Sequence, residues 1–417
     1  MATTYLPQHQ ATPLLPRIKT TMSNPLKPPV FTKPIPIIGA GIAGLTIARC
    51  LLQSGIRTTL YEKASGAPRH NYGITLYASS YRPLLSYLGV PELDFKSCVA
   101  VDADAGGTGR TSHVTSDEES PVHTIEYFRA NRARLERWLG EGLDIRYSSA
   151  ITNVEATDQT GPIFHLANGE VLQPDFVIAA DGVHSSIRRA FVPTTQLEVL
   201  PLVAFNGKRR VDAQTFEDVF AAAFQRDTVL HARHGDSLLT LSLNDKRKDD
   251  ISLSWTFSRP PRSTTTTDSL HHPTRSTTDA HTIPPELFSE LATLKPHLPS
   301  PFPHLLNPEH LRNDRILHWL MRRSLIPLPS LHTLLHRTNI LLLGDAAHTE
   351  PIIGGNGANA AVLDGVVFAR EIAERGVGDG AAAAYEIRYG QWESAYARWE
   401  GGLGRKYGVG VREGVNL

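Results

Sequence analysis

Short buried strands alternate with an amphipathic helix near the start of the chain. The apolar run at residues 34–38 predicts a strand, because strands buried in a parallel sheet are almost continuously apolar. A helical apolar period follows over 45–53, and a second strand is predicted over 57–61. Together they form a strand, turn, helix and strand of about the 30 residues that one such unit needs.

Later segments extend this pattern and then change it. Buried strands are predicted at 175–180 and 339–343, and each is followed by an aspartate beside a glycine. Residues 198–258 alternate in short strands, which indicates an antiparallel sheet. Helices are predicted over 131–139, 358–374 and 382–400, with a glycine-rich break at 376–380, whereas 64–120 looks less regular. The pattern predicts an α/β fold with a mostly parallel sheet.

The composition excludes several functional classes. The 417 residues carry 42 Lys and Arg against 42 Asp and Glu, so no basic excess favours nucleic acid or an anionic membrane. Two cysteines, Cys50 and Cys98, exclude a disulfide framework and a four-cysteine metal site. Residues 1–33 lack signal-peptide features and predict a disordered leader, with Met22 as an alternative start. We expect a cytoplasmic protein without a membrane span or a nucleic-acid partner.

The first motif that carries chemistry is Gly39-x-Gly41-x-x-Gly44, between the first strand and the first helix. One glycine permits the tight turn, one lets the backbone approach a pyrophosphate, and one lets helix and strand pack closely. The phosphates then meet the N–H groups of the helix N-terminus. Glu62 ends the second strand, where a carboxylate accepts hydrogen bonds from ribose hydroxyls. These residues predict a dinucleotide site, although a glycine-rich turn in an unrelated α/β fold stays open as an alternative.

Two further motifs each follow a predicted strand and combine aspartate with glycine. They are Asp181-Gly182-x-x-Ser185-x-x-Arg188, and Gly344-Asp345-Ala-Ala-His348 with its continuation Gly355-x-Gly357-x-Asn359 and Asp364. A simple nicotinamide dehydrogenase explains neither of them. A dinucleotide with a long middle section needs a second acidic contact, and Asp345 at a strand end would suit a ribityl chain. The glycine loop and the next helix N-terminus would suit an isoalloxazine ring that develops negative charge. Alone, each motif is also compatible with a turn or a helix cap.

In this order and spacing the motifs resemble those of the class A, single-component FAD-dependent monooxygenases, the salicylate and p-hydroxybenzoate hydroxylase relatives. The resemblance covers about residues 34–400, and the segment Asn131-Arg132-Ala-Arg-Leu135-x-x-x-Leu139 resembles a helix of that family. It implies FAD contacts from a set of residues in these segments, namely Gly39, Gly41, Ala43, Gly44, Glu62, Lys63, Gly73, Arg132, Asp181, Gly182, Asp345, Gly355, Gly357, Ala358 and Asn359.

The resemblance also implies a reaction. NAD(P)H would reduce FAD, O2 would add to the reduced flavin, and the C4a-hydroperoxide would oxygenate a small apolar or aromatic substrate. Hydroxylation, epoxidation and oxidative dearomatisation share this chemistry and are not separated by the sequence. The substrate is expected to be an aromatic, polyketide, alkaloid or terpenoid secondary metabolite. Two alternatives stay open: an FAD-dependent dehydrogenase of the same fold without oxygen insertion, and a non-catalytic flavin-binding protein.

The domain organisation follows from the same resemblance. A Rossmann-like FAD-binding domain is expected to be discontinuous, over 34–198 and 335–378. An inserted antiparallel-sheet substrate domain is expected over 199–334, with a low-complexity loop at 258–283. Residues 379–417 are expected to form a C-terminal helical segment.

One departure from the family concerns the segment after His348. Relatives commonly place a proline four residues after this histidine, where the present chain has Ile352, and Pro351 lies three residues after it. We expect FAD binding to survive this change and the shape of the wall beside the flavin to differ.

The sequence does not identify a catalytic base. Arg209, Arg210 and His231 in the predicted substrate sheet are weak candidates for acting on a phenolic proton, and each also suits a packing or solvated role. Arg69 is a candidate for a contact with flavin or substrate. Five histidines between residues 271 and 304 lack the spacing of a compact metal site, so no metal is expected.

Overall fold

The structure is a computed structural model that describes most of the chain in eight stretches. They are residues 33–67, 71–109, 112–113, 126–155, 161–225, 227–262, 268–276 and 278–399. Residues 1–32 of the predicted leader (with Met22), Arg69, parts of the predicted loop 258–283, and residues 400–417 lie outside the described residues.

The elements are numbered in chain order. The strands are β1 Ile35–Ile38, β2 Thr58–Tyr61, β3 Gly73–Tyr77, β4 Ser112–His113, β5 Glu126–Asn131, β6 Asp144–Arg146, β7 Ile151–Glu155, β8 Ile163–Leu166, β9 Val171–Leu172, β10 Val177–Ala179, β11 Glu198–Val199, β12 Val203–Val211, β13 Val229–His234, β14 Ser237–Lys246, β15 Ile251–Arg259, β16 Arg315–His318, β17 Arg322–Leu325, β18 Ile340–Leu342 and β19 His348–Thr349. The helices are α1 Ile42–Gln53, α2 Ala78–Leu88, α3 Glu92–Val99, α4 Arg132–Gly140, α5 Ser186–Phe191, α6 Ala213–Thr215, α7 Pro285–Leu294, α8 Phe302–Leu305, α9 Pro308–Leu311, α10 Leu328–Thr338, α11 Gly357–Arg375 and α12 Val377–Ala397.

A five-stranded sheet lies at the centre of the first layer. Its order is β18-β10-β1-β2-β6, and every neighbouring pair is parallel. Helix α1 is buried along most of its length, because it packs between this sheet and α11. The two helices approach so closely that a side chain at Gly365 would lie 2.6 Å from the Thr46 side chain. The predicted α/β fold with a mostly parallel sheet is confirmed.

A second five-stranded sheet is antiparallel, with the order β13-β14-β15-β12-β16. One of its faces forms a second hydrophobic core that includes Phe205, Trp255 and Phe257, and α7 covers this core with Leu287 and Leu291. The predicted antiparallel sheet is therefore present, and its apolar face is separated from the core around the parallel sheet. The domain boundaries themselves remain a prediction.

Two sequence-based expectations are corrected by the structure. Within 64–120, the described residues form β3, α2, α3 and β4, so this segment is more regular than expected. The predicted glycine-rich break at 376–380 is a single residue, Gly376, after which α12 begins at Val377. Gly380 lies inside α12 because its missing side chain lets the helix approach the Glu371 carbonyl. Among the described residues, no helix is long and apolar enough to cross a membrane.

A buried polar network ties α12 to the rest of the fold. Asp364 on α11 accepts hydrogen bonds from Arg388 Nε at 2.8 Å and from Trp392 Nε1 at 3.0 Å. Its second oxygen lies 2.7 Å from His348 Nε2, and the His348 ring stacks on Trp392. All four side chains are buried. Burial raises the pKa of Asp364, but the charges and hydrogen bonds of His348 and Arg388 outweigh it and keep that pKa below its usual value.

Removing the cation of this network should destabilise the protein. The Arg388→Met substitution leaves the Asp364 carboxylate buried with a missing partner, so we expect the free energy of unfolding to fall by about 3–5 kcal/mol. Arg210 is the control, since both side chains of its ion pair with Asp250 are exposed. Arg210→Met should cost less than about 0.5 kcal/mol. Denaturant unfolding with FAD at saturation measures both, and equal losses would contradict the assigned role of the network.

Candidate cofactor and active site

The motifs found in the sequence meet at one edge of the parallel sheet. Strands β1, β2, β10 and β18 are neighbours, and their final residues pair across the sheet: Ile38 with Tyr61 and Ala179, and Ala179 with Leu342. Each motif therefore begins just beyond the same row of the sheet. The crevice at the carboxyl ends of parallel strands is the usual ligand site in such folds.

The three glycines of the first motif have different surroundings. Gly39 has φ +102°, and a side chain there would overlap the Ala180 carbonyl. A side chain on Gly44 would overlap the Gly39 carbonyl, so both positions are fixed by the turn and by packing. Gly41 has nothing within 4 Å of the place where a side chain would lie. The space at the start of α1 is thus open, as the approach of a pyrophosphate requires. Ala43 lies on the first turn of α1, where its side chain borders Gly344.

Glu62 connects the end of β2 to this glycine turn. Its side chain is buried and accepts hydrogen bonds from Ala40 N and Ala64 N, both at 2.9 Å. The carboxylate therefore lies beside the turn, where the sequence predicted it. Lys63 follows with an exposed side chain.

The second motif has an unsatisfied carboxylate oxygen. Asp181 Oδ2 accepts a hydrogen bond from Ser186 N at 2.8 Å, whereas Oδ1 is buried and has no hydrogen-bond partner among the described residues. Buried acceptors in native proteins are almost always paired, so this oxygen marks a position where a donor is missing. Gly182 adopts φ +81° with open space beside it. The pair borders the same crevice as the glycine turn.

Arg188 joins the second motif to the third. Its guanidinium donates to the carbonyls of Asp345 and Ala346, at 3.0 and 3.1 Å, and to the carbonyl of Val183. The side chain is 2% exposed, and burial lowers its pKa below the usual value. The arginine of this motif therefore sets the position of the two loops relative to each other.

Asp345 lies at the bottom of a recess. Its surface is exposed to solvent, yet the surrounding protein raises the pKa of its carboxyl by desolvation, against the opposing charges of His348 and Arg132. A group that is both accessible and desolvated lies in a concave site. The carboxylate makes no hydrogen bond with another described residue. Arg132 at the start of α4 pairs with Glu136 at 2.8 Å and with the Tyr72 hydroxyl.

The continuation of the third motif divides into open and packed positions. Gly355 has φ +65° with open space beside it, and Gly357 and Ala358 form the first turn of α11. The Asn359 side chain is buried: it accepts from Tyr77 N at 2.9 Å and donates to Thr75 O at 2.9 Å. Asn359 therefore holds β3 against α11. The packing explains this residue without a cofactor contact from its side chain.

Gly73 is also explained by packing. A side chain there would overlap the Leu243 carbonyl of β14, and the Gly73 N–H donates to the Asn244 side chain at 2.9 Å. This glycine allows the segment before β3 to lie directly on the antiparallel sheet.

The three weak catalytic candidates lie in different places. Arg209 is buried on the core side of β12 and forms a bidentate ion pair with Asp314. Its Nε and Nη2 donate to the two carboxylate oxygens at 2.8 and 2.7 Å. Arg210 is exposed and pairs with Asp250. These contacts give both arginines a structural explanation. His231 is accessible although burial lowers its pKa, so it too borders a recess.

Sequence reasoning missed Lys208, on the opposite face of β12 from Arg209. Its Nζ donates to the Asn71 carbonyl at 2.7 Å, which joins the polar face of the antiparallel sheet to the segment before β3. Burial lowers its pKa below the usual value, with help from the charge of Arg210. The period of two along β12 is the signal that could have found it. No group of His, Cys, Asp and Glu with metal-binding geometry occurs among the described residues.

Comparison with known proteins shows that the chain is similar to FAD-binding proteins. The family model described as the FAD binding domain matches residues 32–292 and 330–387. The FAD-dependent monooxygenase nscC of Neosartorya fischeri is 32% identical over 363 residues, which cover 83% of this chain and 88% of the relative. The FAD-dependent monooxygenase adaC of Aspergillus niger is 31% identical over 377 residues, 86% of this chain and 89% of the relative.

Solved structures show the same fold. The 2,6-dihydroxypyridine-3-hydroxylase of Arthrobacter nicotinovorans is 16% identical and superposes with a TM-score of 0.65 over 89% of this chain and 91% of its own. CtdE in complex with FAD and a substrate is 19% identical, with a TM-score of 0.60 over 88% and 91% of the two chains. The chain belongs to the family of FAD-dependent monooxygenases.

Proposed function

We propose that the enzyme uses NAD(P)H and O2 to insert one oxygen atom into a small apolar or aromatic substrate, an aromatic, polyketide, alkaloid or terpenoid secondary metabolite. The observation that carries this proposal is the convergence of three cofactor motifs at one row of parallel strand ends. Structural neighbours include a hydroxylase of 2,6-dihydroxypyridine and a tetracycline destructase, whose names refer to ring compounds. The convergence of intact motifs favours catalysis over a non-catalytic flavin-binding role.

The proposed FAD contacts follow the crevice. The pyrophosphate would lie at the start of α1, where the space beside Gly41 is open. It would be held there by Gly39, Gly41, Ala43 and Gly44. Glu62 and Lys63 would lie at the adenosine ribose.

The middle and the far end of FAD would lie against the other two motifs. Asp345, in its recess, would accept hydrogen bonds from the ribityl chain, and Asp181 Oδ1 would gain the donor that it lacks. The remaining parts of the cofactor would contact other residues that border the same crevice, namely Gly182, Arg132, Gly355, Gly357 and Ala358. Gly73 and Asn359 would shape the crevice through packing. When bound, FAD supplies the redox and oxygen chemistry, and the protein positions the substrate and excludes water.

Two further proposals rest on the sequence together with the structure. The FAD-binding domain at 34–198 and 335–378 and the substrate domain at 199–334 are supported by two separate hydrophobic cores, although Ile326, Leu331 and Leu334 of the second range pack in the core around the parallel sheet. A cytoplasmic location is supported by the two free thiols, Cys50 and Cys98, because unpaired cysteines suit a reducing compartment.

Gly41 provides a direct test of the pyrophosphate position. Gly41→Val should remove FAD from the purified protein, because the side chain would occupy the open space at the start of α1. The FAD-free variant should keep the unfolding temperature of FAD-free wild type, since no atom beyond the two chain neighbours lies within 4 Å of the position of the added Cβ. Gly390→Val is the control, as Gly390 is exposed on α12 with open space beside it. A yellow Gly41→Val protein with normal FAD content would refute the placement.

Asp345 tests the ribityl position. Asp345→Ala should weaken FAD binding by about 1.5–3 kcal/mol, the value of a hydrogen bond to a charged group. Flavin fluorescence during titration of the FAD-free protein measures the dissociation constant. Asp249→Ala, at an exposed loop position, should leave the constant unchanged. An unchanged constant for Asp345→Ala would remove this residue from the site.

The reaction is tested by the fate of molecular oxygen. NADPH or NADH oxidation under air should accelerate with one class of aromatic compound, and mass spectrometry should find one ¹⁸O atom from ¹⁸O2 in the product. Oxidised product without ¹⁸O would instead indicate a dehydrogenase of the same fold. A protein that binds FAD but neither oxidises NAD(P)H nor alters any compound would favour a non-catalytic role.

A further inference from the structure

A pocket of about 150 Å³ lies where the antiparallel sheet meets the loop that contains Ile352. Two arginines, Arg275 and Arg322, line it together with apolar side chains, among them Leu317, Trp319 and Ile352. A cavity of this volume is large enough for one aromatic ring. The combination of apolar walls with two guanidinium groups is unusual, because buried cations normally have acidic partners.

Arg322 lacks such a partner within the described stretches of the chain. Among the described residues, its guanidinium makes no hydrogen bond and no ion pair, although it is half-buried. Burial lowers its pKa, and no carboxylate opposes this effect. The next residue along β17 shows the contrast: Arg323 forms two hydrogen bonds with Glu198, at 2.7 and 3.1 Å. The two arginines point to opposite sides of the strand, and only Arg323 is neutralised.

Arg275 is held in place by carbonyl groups instead of a carboxylate. Its guanidinium donates to the carbonyls of His318 and, at 2.8 Å, of Ser276, and its Nε is buried without a partner among the described residues. Burial lowers its pKa, and the charge of Arg322 lowers it further, against a contribution from Asp279. The Asp279 carboxylate is itself engaged by the Ser276 hydroxyl at 2.7 Å.

The neighbouring histidine adds no charge to the pocket at neutral pH. Burial, followed by the charge of Arg275, lowers the pKa of His318 to about 4, and its ring stacks on Phe205. The positive charge of the pocket therefore comes from the two arginines. Two like charges close to each other in a half-buried site are unfavourable unless an anion binds between them.

The pocket borders the cofactor motifs. Ile352 precedes the glycines of the third motif, and the charge of Arg322 contributes to the lowered pKa of His184 in the second motif, after the larger effect of burial. A ligand in the pocket would consequently lie beside the proposed flavin crevice.

We propose that Arg275 and Arg322 bind an anionic oxygen group of the aromatic substrate, a carboxylate or an ionised phenol, while Trp319 and Ile352 contact its ring. This inference rests on the proposed function. A guanidinium fork matches the two oxygens of a carboxylate, and the apolar wall favours an aryl acid over a hydrated phosphate. The arginines would determine which substrates bind and in which orientation.

Calorimetric titration of the FAD-loaded enzyme, without NAD(P)H, tests the inference with simple probes. Benzoate and 4-nitrophenolate represent the two anionic groups, and benzamide is the neutral counterpart of benzoate. At least one anion should bind about ten-fold or more tightly than benzamide, because one hydrogen bond to a charged group contributes about that gain in affinity. Arg322→Gln and Arg275→Gln should each reduce this preference to about two-fold or less. The anion that binds identifies which group the pocket takes.

Three controls keep the result specific. Arg337→Gln, at an exposed position of α10, should keep the wild-type preference. The visible spectrum should show equal FAD content in all variants, and Arg322→Lys serves as a second variant that retains the charge if the glutamine variant does not fold. The probe 2′,5′-ADP carries phosphates without an aryl acid and tests whether the arginines serve a nucleotide.

Several outcomes would overturn the proposal. These are equal binding of anions and benzamide by the wild type, a preference that survives both arginine substitutions, or arginine-dependent binding of 2′,5′-ADP alone. The titration needs neither NAD(P)H nor oxygen insertion. An enzyme that binds benzoate through Arg322 but gives no ¹⁸O product would contradict the proposed function, whereas ¹⁸O product without anion preference would contradict only this pocket.

Discussion

Parallel pairing of four short strands is the constraint on which the rest of the structure depends. The register aligns Ile38, Tyr61, Ala179 and Leu342 in one row, although more than 300 residues separate the first from the last along the chain. Parallel neighbours need a crossover connection, so the chain must leave the sheet between them and return at the same end. The antiparallel sheet and its core occupy one such connection, between β10 and β18. A shift of one residue in any strand would move its motif away from the common row and turn its side chains to the other face.

The arginines show how the molecule separates structure from binding. Arg209, Arg323 and Arg388 each face a carboxylate, and these pairs hold strands and helices together. Arg188 is held by carbonyl groups, so it fixes two loops, while the charges of Asp181 and Asp345 act on its guanidinium from nearby. In the part of the chain that the structure describes, Arg322 has neither kind of partner. The distinction is physical: a guanidinium paired with a carboxylate has its charge neutralised within the protein, whereas a desolvated one without a carboxylate gains most from an external anion.

Much of this arrangement is predictable from sequence, because a strand followed by a glycine turn or by an aspartate has a local signature. The motifs of Gly39, Asp181 and Asp345 were located in this way, together with the strands that precede them. The roles of Arg209 and Lys208 could not be read, because β12 has basic residues on both faces. What separates them is Asp314, a partner more than 100 residues away in sequence. Asn359 and Gly73 illustrate the same limit, since their packing partners belong to distant strands.

The segment after His348 connects the departure from the family pattern with the pocket. Ile352 stands where relatives have a proline, and its side chain is 58% exposed toward the pocket. The next two residues are fixed from behind: Ile353 packs in a small cluster with Trp319 and Trp399, and a side chain on Gly354 would lie 2.9 Å from the Trp399 ring. Because its neighbours are held while its own side chain is free, Ile352 is the position in this loop where a substitution changes the surface without changing the backbone. Its flexible aliphatic chain lies in the same pocket as Arg275 and Arg322 and gives that pocket an apolar wall, which a proline ring would supply in a different shape.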